Sequence, residues 1–209
     1  MADPFPTYDV LAKRDSESWN DKTREVIDER LALEVCEDVL TATQLATLRV
    51  VVERVCPDPA GRPATTTLAM VVDKIADNRS DGYRHHALPP TAQAWRRGLD
   101  ALEAEARARY GVAFPALSGE DADALLRLVS EGDVRAAEWQ DLPPKLFWGW
   151  RVLSDCLGAH WSQPSLWSAM GFGGPAAPRG YVRTGIDRRD PWEAIEAGEP
   201  LRGLPKHRA

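Results

Sequence analysis

The chain is 209 residues long, with hydrophobic residues at 44%, charged residues at 28% and a formal charge of −6 at neutral pH. That balance excludes disorder as the default and leaves enough chain for one compact domain, or one domain with extended ends. The negative charge argues against nucleic acid as the main partner, because phosphate binding needs a basic face. No stretch approaches the roughly 20 apolar residues of a membrane span. The opening residues, MADPFPTYDVLAKRD, lack the basic-then-apolar arrangement of a secretory leader,. Lys13-Arg14 runs into Asp15 and Ser16 rather than an apolar run, so the expected location is cytoplasmic unless a signal-bearing partner carries the chain out. Cys36, Cys56 and Cys156 are scattered and form no CxxC, which favours buried free thiols over a zinc or iron–sulfur site,.

The first fifteen residues are proline-bearing and irregular. Spacings of three and four among Thr23, Ile27, Arg30 and Leu31 then predict a helix over 19–33, with Asn20 as its N-cap. Thr41 and Gln44 have capping-box spacing. They precede a helix whose face carries Leu45, Leu48, Val52 and Val55 and which Pro57 and Pro59 stop. Val50-Val51-Val52 is β-branched but lies inside that longer helical pattern. Leu68, Val71, Val72 and Ile75 mark a third helix. Pro89-Pro90-Thr91 opens a long fourth one, with Trp95, Leu99, Leu102 and Ala106 inward and Gly111 at its end. Ser118 to Asp121 caps a fifth, carrying Leu125, Leu128 and Val129 and closed by Gly132. Pro143-Pro144 opens a sixth, on which Leu146, Phe147, Trp150, Leu153 and Leu157 are expected to face inward. No run alternates as a strand does. The expected fold is all-α, an irregular bundle of about six helices. The division read from the sequence is a helical part over 1–157 and an extended segment over 158–209, together one domain.

After Leu157 the pattern changes, and glycine and proline exclude a long regular helix. The stretch nevertheless carries Trp161, Trp167, Met170, Phe172, Tyr181 and Trp192, unlike a flexible linker of glycine and serine. Five of the chain's eight tryptophans, Trp139, Trp148, Trp150, Trp161 and Trp167, fall between residues 139 and 167. Such density supplies either a core or an interface. Gly171, Gly173 and Gly174 permit close backbone approach, while Pro175 and Pro178 fix the chain. A loop so restrained loses little entropy on docking. GFGGPAAPRG has neither the P-loop pattern nor a strand–GxGxxG–helix context, which argues against a phosphate cradle.

These residues carry a family likeness. WSAMGFGGPAAPRGYVR followed by DRRDPWE resembles the signature of the gluconate 2-dehydrogenase subunit 3 family. YDVLAKRDSESWNDKTREVIDERL, DGYRHHALPPTAQAWRRGLDALEAEAR and Tyr110-Gly-Val-Ala-Phe114 are similar to the same family in the same order. The resemblance implies a small helical subunit without chemistry of its own. Its partner would be a large FAD-containing oxidoreductase of the glucose–methanol–choline type, acting on a sugar or related alcohol, joined in some complexes by a multihaem cytochrome. The small subunit would stabilise, mature or help export that partner, and the FAD would be the partner's. Many members carry a twin-arginine signal, from which this chain departs.

The candidate partner-binding residues are therefore His160, Trp161, Trp167, Phe172, Gly173, Gly174, Pro175, Pro178, Arg179, Tyr181, Arg188 and Trp192. Asp187 to Asp190 reads either as a solvated turn or as a polar rim around the Trp192 anchor. No catalytic, cofactor or metal residue is expected: adjacent His85 and His86 cannot complete a metal site alone. The alternative is a small enzyme or ligand-binding protein using Cys156 and His160, which share a helical face but lack an oxyanion motif. A homo-oligomer whose aromatics meet each other is a third reading.

Overall fold

The computed structural model describes residues 3–177, 180, 189–190 and 192–198. It falls into two compact units. One is nearly continuous, Leu33–Pro57 with Thr66–His160. The other gathers three stretches, Met1–Ala32, Asp58–Thr65 and Trp161–Ala209. Among the described residues there is no β-strand, and the chain is all-α.

The larger unit is built from α2 (Ala42–Val55), α3 (Thr67–Ala76), α4 (Thr91–Tyr110), α5 (Gly119–Glu131), α6 (Pro144–Phe147) and α7 (Ser154–His160). Their ends follow local chemistry. The Thr41 hydroxyl accepts from the Gln44 N–H at 3.2 Å and the Gln44 side chain accepts from the Thr41 N–H at 3.1 Å, closing the capping box of α2,. Ser118 accepts from the Asp121 N–H at 3.1 Å and starts α5,. Gly111 and Gly132 end α4 and α5 in the left-handed conformation that a side chain would strain,. Leu48, Ile75, Trp95, Leu99, Leu125 and Phe147 are fully buried in one shared core. Phe147 lies against the backbone of α4 at Gly98, where a Cβ would stand 2.1 Å from its ring. Trp95 meets the same ring edge-on, centroids 5.5 Å apart,.

A buried carboxylate also organises the loop after α5. Glu105, fully enclosed, accepts from Arg109 at 2.5 Å and from the N–H groups of Arg135 and Ala136 at 2.9 and 2.8 Å. Burial alone would raise its pKa, but these three donors together hold it below its ordinary value,.

The helix opened by Pro143-Pro144 departs from expectation. Between α6 and α7 the chain makes a π-helical turn over Trp148–Leu153. A π turn closes i→i+5 bonds and spends extra residues on its circuit, which rotates every later side chain about the axis. Trp150 is accordingly 43% exposed, while Leu153 and Leu157 are only half-buried. Arg151, Val152, Asp155, Cys156, Ala159 and His160 face inward in their place. The inward positions expected for Trp150 and Leu153 are thus corrected by the change of helical period, whereas the half-buried Leu157 still packs on the shared core.

The smaller unit holds α1 (Asp21–Leu31), a 3₁₀ turn at Val10–Lys13 and α8 (Pro164–Ala169). Asn20 caps α1 by accepting from the Thr23 N–H at 2.9 Å,. The unit's own core is small and aromatic: Tyr8, Val10, Trp19, Ile27 and Trp167.

Candidate functional site

The glycine–proline loop after α8 is held by the opening residues of the chain. Arg62 gathers them, donating to the carbonyls of Phe5 and Tyr8 at 2.5 and 2.6 Å and pairing with Asp3 at 2.7 Å. Asp9 caps the 3₁₀ turn by accepting from the Leu11 N–H at 3.0 Å. The Val10 N–H donates to the Ser168 hydroxyl on α8 at 3.0 Å, and that hydroxyl donates to the Pro164 carbonyl at 2.9 Å. The 3₁₀ turn and α8 are thereby fixed to one another through backbone geometry rather than through long side chains.

Trp167 is the centre of this arrangement. It is buried beside Val10 and Trp19, and its indole N–H donates to the Trp161 carbonyl at 2.7 Å. The loop folds back over it. The Phe172 N–H donates to the Trp167 carbonyl at 2.8 Å, and the two rings meet edge-on with centroids 6.2 Å apart. Gly171, at φ +67°, lies where a Cβ would come within 2.6 Å of the Phe5 ring. Gly174, at φ +62°, lies where a Cβ would come within 2.9 Å of Trp167. Both the left-handed conformation and the close approach call for glycine.

Lys13 completes the frame. Its ammonium donates to the Pro175 carbonyl at 3.2 Å and stands 5.6 Å from the centre of the Trp19 ring,. Burial pulls its pKa from 10.5 down to about 8,. The Asn20 N–H donates to the Ala177 carbonyl at 2.8 Å, pinning the far end of the loop.

Around α8 and the loop anchored in this way, three large apolar side chains turn outward. Trp161 is 49%, Met170 45% and Phe172 42% exposed. Each is tied to Trp167 or to the end of α8: Trp161 by its carbonyl, Phe172 by ring and backbone, and Met170 as the C-cap residue. Single exposed apolar side chains are ordinary, but three on one short braced segment are the pattern of a contact surface.

The expected site residues divide accordingly. Trp161 and Phe172 lie on the surface, whereas Trp167 and Gly174 lie inside the unit's own packing. Gly173 and Pro175 are half-buried along the Lys13 contact. Trp192 lines a cleft of about 340 Å3 with Tyr8, Asp9, Lys13 and Glu193. Pro178, Arg179, Tyr181 and Arg188 lie outside the described residues. Met170 was part of the aromatic-rich stretch but not among the expected contacts, and its place at a helix C-cap beside glycine is the signal that could have included it.

His160 belongs to the larger unit, buried in α7 with its Nδ1 3.1 Å from the Thr67 hydroxyl. Cys156, on the same helix, is enclosed by apolar neighbours, and burial raises its thiol well above its ordinary pKa. A reactive cysteine needs the opposite shift. His85 stacks on His86 with centroids 4.6 Å apart, and its Nδ1 accepts from the Ala87 N–H at 3.2 Å. Among the described residues no three His, Cys, Asp or Glu side chains gather as a metal site would require, and no helix is long and apolar enough to cross a membrane.

Residues 42–174 match the family model described as gluconate 2-dehydrogenase subunit 3. No curated protein and no solved structure matches the chain.

Proposed function

We propose that this chain, which belongs to the gluconate 2-dehydrogenase subunit 3 family, is a non-catalytic small subunit that binds and stabilises or matures an FAD-dependent sugar or alcohol dehydrogenase. The observation that carries this reading is the braced segment around α8, with Trp161, Met170 and Phe172 turned outward from a fixed frame. Large apolar groups on a pre-shaped support lose little entropy on association and serve as anchors. The FAD and the substrate site belong to the large glucose–methanol–choline type subunit in this reading, and a cytochrome would join through that subunit. The small chain travels with its partner wherever the partner is exported.

Co-expression with the flavin-bearing large subunit tests the proposal. The two chains are expected to co-purify, and the flavoprotein to lose solubility or flavin content when expressed alone. Trp161→Ala with Phe172→Ala should weaken the complex at least about tenfold while leaving the helical circular dichroism unchanged, because neither ring is in a core. A large subunit that is equally soluble, flavin-loaded and active without this chain, and that never co-purifies with it, would sink the reading.

A further inference from the structure

The helical run from α6 through the π turn into α7 carries two competing stripes. At 3.6 residues per turn the sequence offers an apolar one, Phe147, Trp150, Leu153 and Leu157,. The structure buries another, in which Arg151, Asp155 and His160 go inward beside Val152, Cys156 and Ala159 while Trp150 turns to solvent. Burying charge is expensive unless each group is paired, so this register needs a specific source of support.

Asp155 supplies it. Its side chain has no solvent exposure. One oxygen receives the Trp95 indole N–H at 2.8 Å and lies 3.3 Å from Arg151; the other stands 2.9 Å from the Lys74 ammonium. Arg151 also donates to the Thr91 hydroxyl at 3.0 Å. Lys74, on α3, pairs at its outer side with the exposed Asp81. A chain of charges thus runs from solvent to the turn where the helical period changes.

We propose that residues 148–160 form a two-register helix, locked in its π register by the Asp155 clamp. The second register is an unbroken α-helix in which Trp150 and Leu153 turn inward and Arg151 and Asp155 turn outward. Two packings of one sequence that differ little in free energy make a bistable element, and here the lock is electrostatic while the alternative stripe is apolar. Because Lys74 reaches the surface, a change of charge around Lys74 and Asp81 is coupled to the exposure of Trp150.

The experiment is fluorine NMR on the full chain labelled with fluorotryptophan, with Trp150→Phe assigning the Trp150 resonance. The readout is that resonance's shift between H2O and D2O, which reports solvent access. Asp155→Asn keeps size and an acceptor for Trp95 but takes the Asp155 charge from Arg151 and leaves Lys74 paired with the exposed Asp81 alone. It should move the helix to at least about an even mixture of registers, halving the Trp150 solvent shift. Arg151→Leu with Asp155→Leu makes the observed stripe apolar, so it should keep Trp150 as exposed as in the unsubstituted chain. Lys74→Gln, at the outer end of the clamp, is the gentler version, with a smaller fall in the same direction. A folded Asp155→Asn or Lys74→Gln chain with an unchanged Trp150 shift overturns the proposal. Loss of the helical fold in both variants overturns it too, since Asp155 would then be a requirement of folding rather than a lock.

Discussion

The two units keep themselves folded in different ways. In the larger one, helices with locally encoded ends share a core, and burial is spread over many aliphatic side chains around Trp95 and Phe147. In the smaller one, three separate stretches of chain meet around five buried residues, three of them aromatic, held by the Arg62 guanidinium on the Phe5 and Tyr8 carbonyls and by close backbone approach at Gly171 and Gly174. A distributed core resists loss through total buried area. A core of few large rings depends on the positions of those rings and on the glycines that let the chain reach them. The difference gives each unit a characteristic weak point, and substitutions can set one against the other.

The largest effect is expected in the shared core. Phe147→Ala removes a fully buried ring that fills the space at Gly98 and should cost about 3–5 kcal/mol of unfolding free energy. Denaturant titration measures the total. Hydrogen exchange should place the lost protection in the larger unit, and equal loss on amides of both units would break the distinction drawn between them.

Next comes Glu105→Gln, which tests whether a buried charge rather than area alone supports that unit. Replacing a carboxylate that receives Arg109 and two backbone N–H groups should cost about 1–3 kcal/mol. The pH dependence carries a sign. The folded pKa of Glu105 lies below its ordinary 4.5, so its contribution is present above that value and fades as pH falls through the lowered folded value,. Stability measured from neutral to acid pH should therefore lose part of its acid limb in Glu105→Gln. An unchanged limb would remove the carboxylate from the account.

The larger unit was far more legible in the sequence than the smaller one, for a physical reason. Caps and helical periods are local: the Thr41–Gln44 box, Gly111 and Gly132 act on their own neighbours. The π turn is not local in that sense. Its register is decided by Asp155 meeting Lys74 and Trp95 from other helices, although the i,i+4 spacing of Arg151 and Asp155 was there to be read. Nor does any short-range signal say that Phe5 will sit on Gly171 or that Lys13 will reach Pro175. The glycine–proline loop announced its rigidity through composition, but the partners that brace it lie more than a hundred and fifty residues away, at the other end of the chain.

An effect of similar size, placed in the smaller unit, should follow from Gly174→Ala. The new methyl group would meet Trp167 at 2.9 Å in a left-handed backbone, and the expected cost is about 1–3 kcal/mol. Exchange of the amides that link the loop, Phe172 to Trp167 and Asn20 to Ala177, should quicken, while amides of the larger unit hold. Gly111→Ala makes the useful control, because that residue shares the positive φ but a Cβ there meets no neighbouring atom. If both substitutions cost the same, conformational strain explains everything and the close approach to Trp167 contributes nothing.

The smallest effect isolates a single charge in the aromatic core. Burial lowers Lys13 from 10.5 to about 8, so the folded chain releases this proton before the unfolded chain does. Below about pH 8 both states hold it and the burial penalty is fully present,. Between about 8 and 10.5 the unfolded state binds more proton, and stability rises with pH,. Lys13→Met keeps the stem that packs near Trp19 but removes the titration. Its stability should exceed that of the unsubstituted chain at neutral pH and lose the alkaline rise, read by denaturant titration at several pH values with Trp19 or loop amides as the probe. A Lys13→Met chain less stable at neutral pH would instead mean that the bond to Pro175 and the cation over Trp19 outweigh the cost of burial. The frame behind Trp161 and Phe172 would then be held by that charge as well as by its rings.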